Sequence, residues 1–237
     1  MREDYLSALN PFSGSISDPR LLSLNSQIRH TLSFNKVNPK FNIDLISQQS
    51  AVRTTLINGA EGKTEWSHTL FMRYRFHDAW QLNSQTGLTK RSTESDYFQS
   101  RNYTVRSHFE LLQAIWQPVE SVRFGFDWEI RQESGSGSLG ANLLSNRVES
   151  TITAQIPDKG QVTGSLQYLF IKYDGNASSP EGYSLLRGFN PGHNGIIRIS
   201  LRHKLGRNLV AEAVYEGRLS TAGRMVHNAQ VQVRAIF

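Results

Sequence analysis

Residues Val122–Arg131 read VRFGFDWEIR. Val122, Phe124, Phe126, Trp128 and Ile130 occupy alternate positions, and Arg123, Gly125, Asp127, Glu129 and Arg131 fill the gaps. Successive side chains of an extended chain point to opposite faces, so this is a strand with one apolar face and one charged face. The same alternation sets Trp66, His68, Leu70, Met72, Tyr74 and Phe76 against Glu65, Ser67, Thr69, Phe71, Arg73 and Arg75. It recurs in 147–156 and 196–205, and more weakly in 22–36, 40–56, 79–91, 102–117, 160–173 and 207–218. With a final segment running to Phe237, about eleven strands result, and no stretch shows a helical period over a helix-sized window.

These segments are long. They run to about 10–16 residues, where soluble strands average about 5–6 and a tilted bilayer-crossing strand needs about 9–11. Their connections fall into two sets. KVNPK (36–40), HDA (77–79), QPVES (117–121), PDKG (157–160) and LGRN (205–208) are tight turns, whereas 57–63, 92–101, 132–144 and 174–193 are longer. Short turns on one rim and long loops on the other predict an all-β, antiparallel up-and-down transmembrane β-barrel of about 11–12 strands.

Composition is compatible with that reading. The net charge is +6 and the mean hydropathy is −0.43. A barrel hides from such an average, because only alternate residues meet lipid and the lumen is polar. The sequence has no Cys, which excludes disulfide scaffolds and Cys-based metal sites. The opening residues, MREDYLSALNPFSG, lack the charged-then-apolar pattern of a signal peptide. Counted back from a terminal strand that ends at the short-turn rim, the first clear strand starts at the loop rim. We therefore expect 1–20 to be an irregular segment and 21–237 to be the C-terminal part of a larger barrel protein; the alternative is that part of 3–18 supplies the missing strand.

The chain ends NAQVQVRAIF, Asn228–Phe237. A terminal aromatic with small or apolar residues at alternate positions before it resembles the C-terminal signature of bacterial outer-membrane β-barrel proteins. That resemblance implies an assembly signal formed by Val231, Val233, Ala235 and Phe237 and read by the barrel-assembly machinery. The stretches GYSLLRGFNPGHN (182–194), LGRNLVAEAVYEGR (205–218) and HNAQVQVRAIF (227–237) are also similar to the C-terminal barrel segment of large outer-membrane proteins of Bacteroidota. The similarity covers about the last quarter of the chain. It implies a bacterial outer-membrane location with lipid as the surrounding partner, and it assigns no activity.

The candidate functional residues follow from facing. Arg73, Arg75, Arg123, Asp127, Glu129, Arg131, Arg198, Arg202, Glu212 and Glu216 fall on the inward face of a barrel, as do Arg106, Glu110 and His108 by the same reading. A net basic lumen biases a pore toward anions; a filled interior of mutually satisfied charge pairs is the competing arrangement. Aromatics near strand ends, including Trp80 and Trp116 on one rim and Trp66, Tyr103, Tyr173 and Tyr215 on the other, read as interfacial girdles. Loop 174–193 carries Tyr183, Leu185, Leu186 and Phe189 among Gly and Pro. It either folds into the lumen, caps the rim or meets a protein partner.

No catalytic constellation, cofactor motif or metal spacing emerges. The basic residues are spread over many strands without adjacent stacking aromatics, which argues against nucleic acid. A pore or membrane-embedded scaffold is thus the leading reading. A soluble all-β barrel binding a hydrophobic ligand in its interior is the alternative, and it requires the opposite facing, apolar side chains in and charges out.

Overall fold

The alternating segments form strands that hydrogen-bond edge to edge in chain order. The computed structural model describes residues 2–6, 20–56, 59–136, 140–206, 208–221, 223 and 225–235. The strands are β1 (Arg2–Leu6), β2 (Arg20–Phe34), β3 (Phe41–Leu56), β4 (Gly59–His77), β5 (Trp80–Ser95), β6 (Tyr103–Val119), β7 (Val122–Gly135), β8 (Ala141–Ile156), β9 (Gly160–Asp174), β10 (Gly192–Lys204), β11 (Leu209–Ser220) and β12 (Val226–Ala235). One helix, α1 (Pro180–Leu186), lies between β9 and β10. The twelve strands make one antiparallel sheet in the order β1 to β12. This is the up-and-down topology expected of a transmembrane barrel.

Facing separates the two readings of the fold. From Trp66 to Phe76 of β4, exposed and half-buried side chains alternate without a break. The exposed set is Trp66, His68, Leu70, Met72, Tyr74 and Phe76; the shielded set includes Arg73 and Arg75. In β7, Phe126 and Trp128 are exposed, whereas Asp127, Glu129 and Arg131 are half-buried. The apolar face therefore points outward and the charged face inward. A soluble barrel would pay dearly for that arrangement, since its apolar side chains would stand in water. Lipid removes the penalty.

The outward face ends in an aromatic belt at the short-turn rim. Tyr74 makes an edge contact with Phe41 at 6.4 Å and lies 6.2 Å from Phe76. Phe76 stacks on Trp80 at 6.1 Å, Trp80 on Trp116 at 5.6 Å, and Trp116 on Phe124 at 5.0 Å. The belt crosses five strands because cross-strand pairing puts these residues in one row: Trp80 opposes Trp116, which opposes Phe124.

Several expectations are corrected. Residues 1–20 are not wholly irregular, because Arg2–Leu6 forms β1 and pairs with the start of β2. The connections at the loop rim are shorter than expected: β4 begins at Gly59, β5 reaches Ser95, β7 reaches Gly135 and β8 begins at Ala141. Strands continue past the hydrocarbon because the ladder keeps satisfying the backbone there. Length asymmetry between the rims is then carried mainly by 96–102 and 175–191. Tyr103 and Tyr173 pack toward the inner face beside α1 and are not part of an outer belt. Arg106, His108 and Glu110 face outward, each alternating with inward Val105, Ser107 and Phe109.

Trp116 stacks on a ring at each side, and each such contact is worth about 0.5–1.5 kcal/mol. Trp116→Ala is expected to lower unfolding stability in detergent micelles by about 1–3 kcal/mol, read from the urea midpoint. An unchanged midpoint would show that the belt contributes nothing to the fold.

Candidate functional site, a charged inner wall beneath an infolded loop

The inner wall is built by cross-strand pairing of polar residues. On the lower half, Arg75 donates to Gln81 (3.2 Å), Gln81 to Asn83 (2.9 Å), Asn83 to Gln113 (2.7 Å) and Gln113 to Asp127 (2.9 Å). This chain of side chains links β4, β5, β6 and β7. Higher up, Glu129 accepts from Arg131 (2.9 Å) and Arg147 (2.7 Å), and Arg147 also reaches Glu149 (3.0 Å). Toward the far edge, Glu216 bridges Arg198 and Arg218, and Arg202 lies 3.5 Å from Glu212. The remaining two cations of the expected inner set differ from these. Among the described residues, neither Arg73 nor Arg123 forms an ion pair, and the Arg73 Nε is buried without a hydrogen bond.

Loop 175–191 folds against this wall. Ser179 caps α1 by accepting from the Gly182 N–H at 2.9 Å, and Pro180 stands in the first turn where no N–H is needed. Arg187 closes the helix in the left-handed region at φ 53°. Leu185 and Leu186 are buried in a cluster with Val105 of β6, Ala141 and Leu143 of β8, and Leu169 and Ile171 of β9. Phe189 packs on the same cluster, whereas Tyr183 is 74% exposed. All the strand residues in that cluster are on the inward face, so the helix lies inside. Gly135 of β7 leaves room for the helix, since a Cβ there would fall 1.7 Å from Glu181 Oε1.

One carboxylate ties the helix down. Glu133 is 1% exposed. Its Oε1 accepts from Arg187 at 2.7 Å and also lies 3.5 Å from Arg91 and 3.9 Å from Arg131. Three guanidiniums thus surround a single acid, and its Oε2 has no hydrogen-bond partner. Burial pulls the Arg187 pKa below its ordinary value and the Glu133 charge opposes that pull. Arg131 also lies over the Phe109 ring at 4.9 Å, and that ring covers Gly87, the cross-strand partner of Phe109. The space between α1 and the wall is a cleft of about 300 Å³ lined by Glu129, Arg131, Arg147, Gln167 and Phe189, among others. With Arg131, Arg147 and Arg187 against Glu129 and Glu133, it offers a net positive lining to an anion.

Sequence reasoning named Glu129, Arg131, Leu185, Leu186 and Phe189 but missed Glu133, Arg91, Arg187 and α1 itself. Ser-Pro-Glu at 179–181 was the available signal, a helix cap followed by Pro and an acid. Of the expected assembly signal, Val231, Val233 and Ala235 lie on β12, with Val231 and Val233 exposed. Phe237 lies outside the described residues. Among the described residues, no three His, Asp or Glu side chains gather to hold a metal ion.

No protein-family model matches the sequence, and no curated protein sequence matches it. Solved structures do resemble the fold. CdiB from Acinetobacter baumannii superposes with a TM-score of 0.54 at 10% identity, over 91% of this chain and 45% of that one. A loop L8 deletion mutant of OmpT, an outer membrane protein of Vibrio cholerae, gives 0.50 at 8% identity, over 90% and 99%. At such identities the likeness is one of fold. That fold is the bacterial outer-membrane β-barrel, and the outer membrane is where its exposed apolar face meets lipid.

If Glu133 holds α1 in place, Glu133→Gln should free the segment around Arg187. A charge-assisted contact to a buried group is worth about 1.5–3 kcal/mol, so trypsin cleavage after Arg187 should speed up about tenfold or more in the folded protein. An unchanged rate would mean that Leu185 and Leu186 anchor the helix alone.

Proposed function

We propose that the chain forms the wall of an outer-membrane pore with a net basic lumen, narrowed from the loop rim by α1, and that small anionic solutes pass along it. The supporting observation is the imbalance of charge on the inner wall: three guanidiniums around Glu133, with Arg73 and Arg123 free of ion pairs among the described residues. Fixed positive side chains in a confined lumen raise the local anion concentration. The protein extracted from outer membranes and placed in a planar bilayer should show an anion-selective reversal potential under a salt gradient. Arg73→Ala with Arg123→Ala should move that potential toward zero, and a cation-selective wild type would contradict the reading.

The dense pairing at Glu129, Arg147 and Glu216 favours a second reading, a closed scaffold that anchors another activity. A folded barrel with no conductance would select it. Exposed Tyr183, at the loop rim, is then the residue positioned to meet a protein partner.

We read residues 21–237 as part of a larger barrel. Every described side chain of β12 is exposed, inward and outward alike, and among the described residues β1 pairs with Arg20–Asn25 of β2 and with no other strand. A sheet edge cannot stand unpaired in hydrocarbon. Further strands, joining β12 to the β1–β2 side, would complete the ring.

Phe237 is proposed to serve the barrel-assembly machinery more than the finished barrel. Burying a large apolar side chain at the interface is worth on the order of 1.5–3 kcal/mol, a loss that a long antiparallel sheet survives. Deleting Phe237 should leave refolding of the complete protein in detergent nearly unchanged while insertion in cells falls sharply. Equal losses in both assays would assign Phe237 a structural role.

A further inference from the structure

Lys90 of β5 and Arg106 of β6 are direct cross-strand partners on the outward face, and both are exposed. Trp66 opposes Lys90 on β4, and Ser134 opposes Arg106 on β7. One row down, His68, Leu88, His108 and Gln132 follow in the same order across the strands. Together these residues line a shallow groove of about 620 Å³. It faces away from the lumen.

Like charges directly opposite one another on a ladder repel. Here nothing within the described residues offsets them, since neither Lys90 nor Arg106 forms an ion pair. Glu110, further down the same face, lies 3.8 Å from His108. The pair persists at a height that matters. Lys90 stands ten positions along β5 from Trp80 in the aromatic belt. At about 3.3 Å per residue and a tilt of about 40°, that is about 25 Å along the membrane normal, the full depth of the apolar band. The two cations therefore sit where hydrocarbon gives way to headgroups, with apolar Leu88 and Trp66, 59% and 48% exposed, beside them.

We propose that this groove binds the phosphate-bearing headgroup of a lipid in the leaflet at the loop rim. Lys90 and Arg106 hold the phosphate; Gln132, Ser134 and the imidazoles of His68 and His108 offer donors to the remaining headgroup oxygens; Leu88 and Trp66 lie along the first methylenes of the acyl chains. The apolar floor is the reason to name a lipid and not a free anion, which would gain nothing from Leu88. The inference rests on the membrane reading of the outward face and is independent of whether the lumen conducts.

The test uses the complete protein extracted from outer membranes into neutral detergent, titrated with lipid A, a bisphosphorylated and acylated glucosamine disaccharide. Bound lipid is counted by native mass spectrometry. Lys90→Ala with Arg106→Ala should weaken retention about thirtyfold, the equivalent of about 1 kcal/mol per cation at a lipid surface. Lys90→Gln with Arg106→Gln should do the same while keeping both positions polar, and heat-modifiable gel migration checks that each variant is folded. Arg202→Ala, on the inner wall, should change nothing. Equal retention by wild type and both double variants would overturn the proposal, as would an equal loss in Arg202→Ala. Displacement of the lipid by millimolar inorganic pyrophosphate would overturn the choice of a lipid, because phosphate alone would then suffice.

Discussion

Hydrocarbon offers no hydrogen bonds, so every backbone N–H and C=O that crosses a bilayer must find its partner inside the protein. The rest of this structure follows from that constraint. It is met here by consecutive antiparallel ladders from β2 to β12, with register unbroken over most of each pair. Because register fixes facing, the sequence then needs only to place apolar residues at every second position. A slip of one residue would turn Trp128 and Phe126 inward and Asp127 and Glu129 out to lipid.

The inward face solves a different problem. Its charges lie within reach of one another, and cross-strand pairing brings Glu129 to Arg147 and Glu216 to Arg198. Such pairs fill and stiffen the wall. Glu133 departs from the pattern, because its partners come from the strand lattice and from the loop at once. It converts the wall into a seat for α1. The cleft beneath the helix is therefore set by a few side chains, and its positive character is a consequence of having more guanidiniums than carboxylates to seat the loop.

Where the alternation is uniform, the sequence was legible. The facing of β4 and β7 follows directly from VRFGFDWEIR and its counterpart at 64–77, because lipid on one side and charges on the other leave no second solution. The upper half of β6 is where that logic inverts. Val105 and Phe109 face inward and Arg106, His108 and Glu110 outward, since α1 supplies an apolar cover for Val105 and the Phe109 ring is held between Gly87 and Arg131. Nothing local to residues 103–110 announces a helix arriving from residue 180. The same cover explains why Tyr103 and Tyr173 were misread as an outer belt. β1 was legible only as the alternative of a further strand within 3–18, because five residues show too little period to read, and pairing with β2, a tertiary fact, is what makes them a strand.

The central claim is that the alternating apolar face meets lipid. Trp66, Trp80, Trp116 and Trp128 are the four tryptophans of the chain and all stand on that face, each about two-fifths to one-half exposed. Quenching by lipids brominated at defined acyl positions measures their depth in reconstituted protein. Variants that keep one tryptophan at a time should give strong quenching of Trp128 by bromines near the bilayer centre. Trp80, Trp116 and Trp66 should respond best to bromines near the headgroups. Strong quenching of Trp128 by aqueous acrylamide, with no response to any brominated lipid, would contradict the account.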